Sequence, residues 1–183
     1  MNIIEVQNVS KKFDEKIVLD NISFVVEEGD IFGLIGPNGA GKTTLINIIT
    51  GLLDANNGTV LIGGYDIKKD TLKAKEFFGL VPQELVLIET VSAYDNLEFF
   101  GSLYGLKGKL LKERINYALE VTGLTENKKV KVKKFSGGMK RRLNLAAAIM
   151  HNPKILILDE PTVGIDPQSR NNIFAFIIKI NKK

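Results

Sequence analysis

Three short stretches of this 183-residue chain carry residues whose types and spacing suit chemistry. The first is GPNGAGKT, which sets Gly36, Gly41, Lys42 and Thr43 in the spacing G-x-x-x-x-G-K-[ST]. Glycines let backbone N–H groups crowd around phosphate oxygens, and the start of a following helix adds positive potential. Lys42 at a helix start opposes the helix dipole by roughly 0.3–1 kcal/mol, so an anion is expected beside it. The Thr43 hydroxyl is placed to ligate Mg2+. A chance match of all four positions arises in roughly one chain in a hundred, so an ordinary glycine turn is the weaker explanation.

The second stretch is ILILDE, residues 155 to 160. Four apolar residues predict a buried strand, yet the run ends in two adjacent carboxylates. Such a pair at the mouth of a core is costly unless a cation or a proton relay uses it. Asp159 suits a Mg2+ ligand acting through water, and Glu160 suits the polarisation of a water that attacks a γ-phosphate. The third stretch is FSGGMKRR, residues 135 to 142. Ser136 is a good N-cap, and Gly137 and Gly138 allow close approach to a helix start. Lys140, Arg141 and Arg142 then oppose the dipole, which predicts that this helix start also meets an anion. Since one phosphate loop cradles one nucleotide, that anion is read as the γ-phosphate of a nucleotide held by another copy.

The elements that must position these residues follow from periodicity. Residues 3–9 and 17–26 alternate like strands and close on the turn EEGD at 27–30. DIFGLIG (30–36) predicts a buried strand running into the glycine loop, and KTTLINIITG (42–51) a helix ending at Gly51. GTVLIGG (58–64) and FFGLVPQ (77–83) predict two more strands. From 91 to about 128 apolar residues recur at helical spacing. Helices at 137–150 and 167–180 flank the strand 155–159. This order predicts a β-rich start, an α/β core and an inserted helical block.

Composition narrows the classes. There is no cysteine, which excludes disulfides, thiolate metal sites and cysteine nucleophiles. The longest apolar runs, ILIL and IFAFII, are far too short to span a bilayer, so a protein soluble or peripheral to a membrane is expected. A net charge of +4 indicates mild attraction to anions and nothing sharper. The basic run KKVKVKK (128–134) reads as a solvated connection into the helix at 137 rather than as a nucleic-acid or lipid contact. His151, the only histidine, is given no catalytic role.

GPNGAGKT, FSGGM and ILILDE, in that order, resemble the Walker A loop, the signature and the Walker B strand of ATP-binding-cassette (ABC) ATPases, the domains that drive ABC transporters. The resemblance runs along the whole chain. SGGMKRRLNLAAAI and DEPTVGIDPQSR are most similar to ATPase subunits of the drug-export and ABC-2 type. It implies an α/β P-loop NTPase fold, with an ABC-type core sheet, an N-terminal antiparallel β subdomain and an inserted helical subdomain. Residues 1–83 would hold the β subdomain and Walker A core, 84–150 the helical subdomain with the signature, and 151–183 the Walker B strand and D-loop.

The resemblance further implies ATP and Mg2+ as cofactors, with Gly36, Pro37, Asn38, Gly39, Ala40, Gly41, Lys42, Thr43 and Thr44 around the phosphates. Thr43, Asp159 and Gln83 would serve the metal, Glu160 and Gln83 the attacking water, and Ser136, Gly137 and Gly138 the partner's nucleotide. Asp166 matches the D-loop aspartate that crosses a dimer interface. Phe13 stands where the family places an aromatic against adenine, and an ordinary strand-end aromatic is the equal alternative. Met139 replaces the glutamine often found after Ser-Gly-Gly.

The implied partners are a second ABC ATPase domain, in a homodimer or heterodimer, and a separate transmembrane permease, on the cytoplasmic face of the cell membrane. Nucleic acid is not expected. The rivals are an ABC-type ATPase acting on nucleic acid or ribosomes, and a truncated, non-hydrolysing nucleotide-binding fragment. One departure bears on activity. The family's switch histidine, and the strand before it, have no counterpart ahead of INKK. The expectation is a chain truncated before that histidine, marginally stable and slow in turnover, whose Walker A and Walker B strands lack a common neighbour.

Overall fold

The computed structural model describes residues 1–163 and 166–181; the side chains of 168, 169, 172 and 179 lie outside that description, as do Gly164 and Ile165 of the expected D-loop. The chain divides into two compact units, Met1–Phe78 and Gly79–Lys183.

In the first unit β1 (Asn2–Phe13) and β2 (Lys16–Glu27) form a long antiparallel hairpin. Asp14 opens its two-residue turn at φ 48, a left-handed conformation that aspartate tolerates. β3 (Asn57–Ile62) pairs with the other edge of β1, and the short β4 (Tyr65–Asp66) follows, giving the order β2-β1-β3-β4. The alternation read from the sequence is a one-sided sheet: Ile4, Val6 and Val9 of β1 are buried, as are Val60 and Ile62 of β3. A bulge interrupts the hairpin at Asn8 (φ 51), whose N–H donates to Ser23 Oγ at 2.8 Å. Helix α1 (Lys42–Ile49) buries Leu45, Ile48 and Ile49, and ends where Gly51 takes φ 67. A short helix α2 (Thr71–Glu76) has no counterpart in the sequence reading.

One expected element of this unit is absent. Residues 31–36 form no strand, and Ile31, Phe32, Leu34 and Ile35 are exposed, Ile35 at 95%. An apolar run of this kind becomes a buried strand only when sheet neighbours flank it and both faces are covered. Among the described residues neither sheet pairs with it. Its one aromatic instead stacks on β2, with the Phe24 and Phe32 ring centroids 5.0 Å apart.

The second unit contains β5 (Phe78–Val81, opening at the boundary) paired with β6 (Ile155–Leu158). The four residues of β6 are half-buried rather than fully buried, which corrects the core strand expected there. Four α-helices, with short 3-10 turns at Thr125–Asn127 and Val132–Lys134, complete the unit among the described residues: α3 (Ala93–Leu103), α4 (Gly108–Val121), α5 (Gly137–Ala148) and α6 (Pro167–Asn181). Their apolar faces meet in one core that includes Leu97, Ile115, Leu119, Leu143, Leu145 and Ile173. Helix α3 starts on a capping box in which Ser92 Oγ accepts from the Asp95 N–H and Asp95 accepts from the Ser92 N–H, each at 3.1 Å.

Helices α4 and α5 cap each other. Arg114 of α4 donates to the carbonyls of Ile149 (2.6 Å) and Met150 (3.0 Å), just past the end of α5. Arg142 of α5 donates to those of Thr122 (2.9 Å) and Gly123 (3.1 Å), just past the end of α4. Each guanidinium thus satisfies carbonyls that a helix end leaves open and adds positive charge at the negative pole. His151 follows α5 and stacks on Tyr104, with rings 3.7 Å apart and 7° from parallel. Burial pushes the Tyr104 hydroxyl above its ordinary pKa. No helix among the described residues is long and apolar enough to cross a membrane.

Candidate functional site

The glycine loop lies between residue 36 and α1, where the sequence places it. Gly39 takes φ 83 and Gly41 φ 89, both in the left-handed region. Only glycine serves at 41: a Cβ there would meet Leu19 Cδ2 at 2.9 Å and the Val18 carbonyl at 3.0 Å, so the loop is seated directly on β2. Pro37, Asn38, Gly39 and Ala40 are exposed, and the Ala40 N–H turns back to the Pro37 carbonyl at 3.2 Å.

Helix α1 has no side-chain acceptor at its N-cap and no acidic residue in its first turn. Its leading N–H groups are those an anion would take. Lys42 Nζ donates to the carbonyls of Gly36 (2.9 Å) and Pro37 (3.0 Å). An ammonium has three N–H donors, so one remains for a ligand. Thr43 is exposed and Thr44 half-buried beside it. This donor set, neutral backbone N–H groups plus one cation and no carboxylate in the helix's first turn, fits phosphate.

Phe13 ends β1 and is 45% exposed, with Lys11 Nζ 5.1 Å from its ring centroid. One ring surface of this size left open in the first unit is available for stacking.

In the second unit Gln83, Asp159 and Glu160 follow the ends of the two paired strands. The Asp159 N–H donates to the Val81 carbonyl at 3.0 Å, which sets the ends of β5 and β6 side by side. Asp159 is buried, at 6% exposure, and Glu160 follows at φ 47. A left-handed glutamate costs of order 1–3 kcal/mol and persists where surrounding structure imposes it. Gln83 lies two residues past the end of β5 and is exposed. Gly79 within β5 is required for packing, since a Cβ there would land on the Ala148 carbonyl.

Helix α5 starts as expected: Ser136 Oγ accepts from the Met139 N–H at 3.2 Å, and Ser136 and Gly137 are exposed. Nothing lies within 4 Å of the position a Gly137 Cβ would occupy, so this helix start is open. The three cations behind it have other destinations. Lys140 pairs with Glu89, Arg142 caps α4, and Arg141, only 4% exposed, donates to the carbonyls of Pro82 and Gln83, each at 2.8 Å. Burial lowers the Arg141 pKa from its ordinary value. Gly138 is buried, so Gly137 and the leading N–H of the helix, rather than the three side chains, are what this end offers an anion. Asp166 is exposed and its carbonyl accepts from the Arg170 N–H at 3.0 Å at the start of α6.

Two residues hold the segment after Gln83: Asn96, which sequence reasoning passed over, and Arg141, which it assigned to an anion instead. Asn96, fully buried, accepts from the Ile88 N–H (2.8 Å) and donates to the Ile88 and Ser92 carbonyls (3.0 and 2.9 Å). Arg141 holds the other end. A signal was available: the chain relies on lysine for its positive charge and uses arginine only at 114, 141, 142 and 170. Arginine's planar fork satisfies two carbonyls at once, which a lysine does poorly. The basic run reads as a solvated connection in the structure too. Val130 and Val132 turn inward, the lysines at 129, 131, 133 and 134 are exposed, and the Val132 N–H donates to the Val91 carbonyl at 3.0 Å.

A glycine loop opening a helix, in an α/β chain with an antiparallel β start and a helical block, defines an ABC-type P-loop nucleotide-binding fold. The chain belongs to the ABC transporter family, whose sequence profile matches residues 19–163. Among characterised relatives, it is 49% identical over 180 residues to the linearmycin resistance ATP-binding protein LnrL of Bacillus subtilis (strain 168), covering 98% of this chain and 58% of that protein. It is 42% identical over 171 residues to the Nod factor export ATP-binding protein I of Sinorhizobium fredii (strain NBRC 101917 / NGR234), covering 93% of this chain and 50% of that one. The chain therefore spans about half the length of these relatives. Among solved structures, cbiO1 from Clostridium perfringens, part of the ABC transporter complex cbiONQ, superposes with a TM-score of 0.89 at 29% identity. That match covers 99% of this chain and 74% of cbiO1.

Proposed function

We propose that this chain is the ATP-binding and ATP-hydrolysing domain of an ABC exporter, acting on a separate transmembrane permease at the cytoplasmic face of the membrane. The observation that carries the reading is the glycine loop: Gly41 seated on β2, an uncapped helix start and Lys42 held across the loop carbonyls. Backbone N–H groups within 38–44 and Lys42 hold the β- and γ-phosphates, and Phe13 stacks on the adenine. Thr43, Gln83 and Asp159 are the residues that would hold Mg2+, which would supply positive charge to offset that of the phosphates. Glu160 and Gln83 orient water in line with the γ-phosphorus, and Glu160 accepts its proton as the bond to ADP breaks. Ser136, Gly137 and Gly138 of a second copy close over the γ-phosphate, with Asp166 at that junction. Export is favoured by relatives whose names record resistance, multidrug transport and Nod factor export.

The test is a titration of a fluorescent ATP analogue with Mg2+ into the wild-type chain and Lys42→Ala. Loss of a charge-assisted contact is expected to weaken binding at least about tenfold. Equal affinities would remove Lys42, and with it the loop, from the nucleotide site.

A further inference from the structure

Arg141 is a buried cation that the reaction scheme above does not use. It sits in the second turn of α5, one helical turn from Gly138. Its two terminal nitrogens reach consecutive carbonyls, Pro82 and Gln83, at 2.8 Å each. Among the described residues no carboxylate lies within ion-pair distance of it, so a buried charge is matched by carbonyl dipoles alone. Burial of a charge in that way is expensive, and two well-aligned carbonyls are what it obtains in return.

The place it holds matters. Val81 accepts from the Asp159 N–H, so the two carbonyls gripped by Arg141 directly follow the point where β5 meets the carboxylate pair. Beyond them the chain is anchored again at Ile88 by Asn96 and at Glu89 by Lys140 and the Lys133 N–H. Between these anchors Glu84, Leu85 and Val86 are exposed. The Gln83 segment is thus a short span fixed at both ends, and its first fixed point belongs to the helix that begins at Ser136.

We propose that Arg141 is a positioning residue for hydrolysis: it fixes the Gln83 backbone on α5, so that the stance of Gln83 follows the helix whose start meets the partner's nucleotide. The proposal rests on the functional reading given to Gln83 above. It links occupancy of the Ser136–Gly138 turn to the water-orienting residue through one rigid helix and two hydrogen bonds.

Two measurements on the full chain test it. The first compares hydrogen exchange in wild type, Arg141→Lys and Arg141→Met. Amides 84–88 should exchange at least about fivefold faster in both variants while α3 stays protected, because a lysine keeps the charge but not the fork. The second measures ATP turnover for Arg141→Lys in the wild-type and Gln83→Ala backgrounds. In the wild-type background kcat should fall about tenfold with KM within about twofold, and in the Gln83→Ala background no further loss should appear. Equal loss in both backgrounds, or a rise in KM alone, overturns the positioning role. Unchanged exchange at 84–88 overturns the proposal whatever the kinetics. A Gln83→Ala chain with wild-type turnover removes the reading of Gln83 instead, and with it the proposal's purpose, while the exchange result still decides whether the tether exists.

Discussion

At the scale of single residues, two backbone conformations stand out at the proposed site. Glu160 is held at φ 47 directly after a buried Asp159. Gly41 is held at φ 89 against β2. The second gives the sharper prediction. In Gly41→Ala the new methyl meets the Val18 carbonyl, which cannot rotate away, and alanine resists positive φ. A cost of about 1–3 kcal/mol in stability is expected. The larger effect should be on the nucleotide, because relief of the clash moves the loop off β2 and disperses the N–H groups around the phosphates. An ATP-analogue titration should therefore show a loss of affinity beyond that produced by Gly39→Ala, whose Cβ meets nothing within 4 Å although its φ is also positive. Equal losses for the two variants would mean that conformation alone, and not the seat on β2, shapes the loop.

At the scale of elements, the second unit is fastened by arginines that close helix ends. Arg114 and Arg142 act reciprocally, each on the end of the other's helix, so the antiparallel α4–α5 pair is tied at both ends. Hydrogen bonds from a charged donor contribute about 1.5–3 kcal/mol when buried and less where water competes. Arg142→Ala is therefore expected to lower stability by about 1–3 kcal/mol in urea unfolding, and Arg114→Ala by a similar amount. Because both arginines fasten the same pair, the double variant should lose less than the sum of the single losses. Strict additivity would show two independent caps. The same pair explains a misreading. From sequence, three cations after Ser-Gly-Gly suggest an anion at the helix start, because the dipole argument is local. Where a long side chain ends is decided by what folds over it, and in this unit that is Glu89, the Pro82–Gln83 turn and the end of α4.

At the scale of the whole molecule, what was legible in the sequence is what is decided locally. Glycine spacing, the Ser136 cap and helical periodicity anticipate the glycine turn ahead of α1, the start of α5 and the helices α3 and α4, because each follows from residues within a turn or two. Residues 30–36 were misjudged because a central strand is a property of its neighbours: the same four apolar side chains are exposed when no ladder forms beside them. The proposed arrangement of two chains about two nucleotides lies further still from local rules, and it yields the last prediction. Ser136 and Gly137 are exposed and the space over Gly137 is open, so the start of α5 is accessible from outside. Ser136→Arg fills that space with a bulky cation, and loses the cap at a cost of about 1 kcal/mol. Binding of an ATP analogue to the chain's own glycine loop should be unchanged, since that loop belongs to the first unit. The mass doubling seen by light scattering with Mg-ATP should vanish. Ser136→Asn keeps the cap and adds no charge, so it separates loss of the helix start from blockage of it, and should retain the dimer. Glu160→Gln should act the opposite way and prolong the dimer, because slower water activation leaves the γ-phosphate in place. A nucleotide-dependent dimer that persists in Ser136→Arg would show that the partner's nucleotide is held by some other surface.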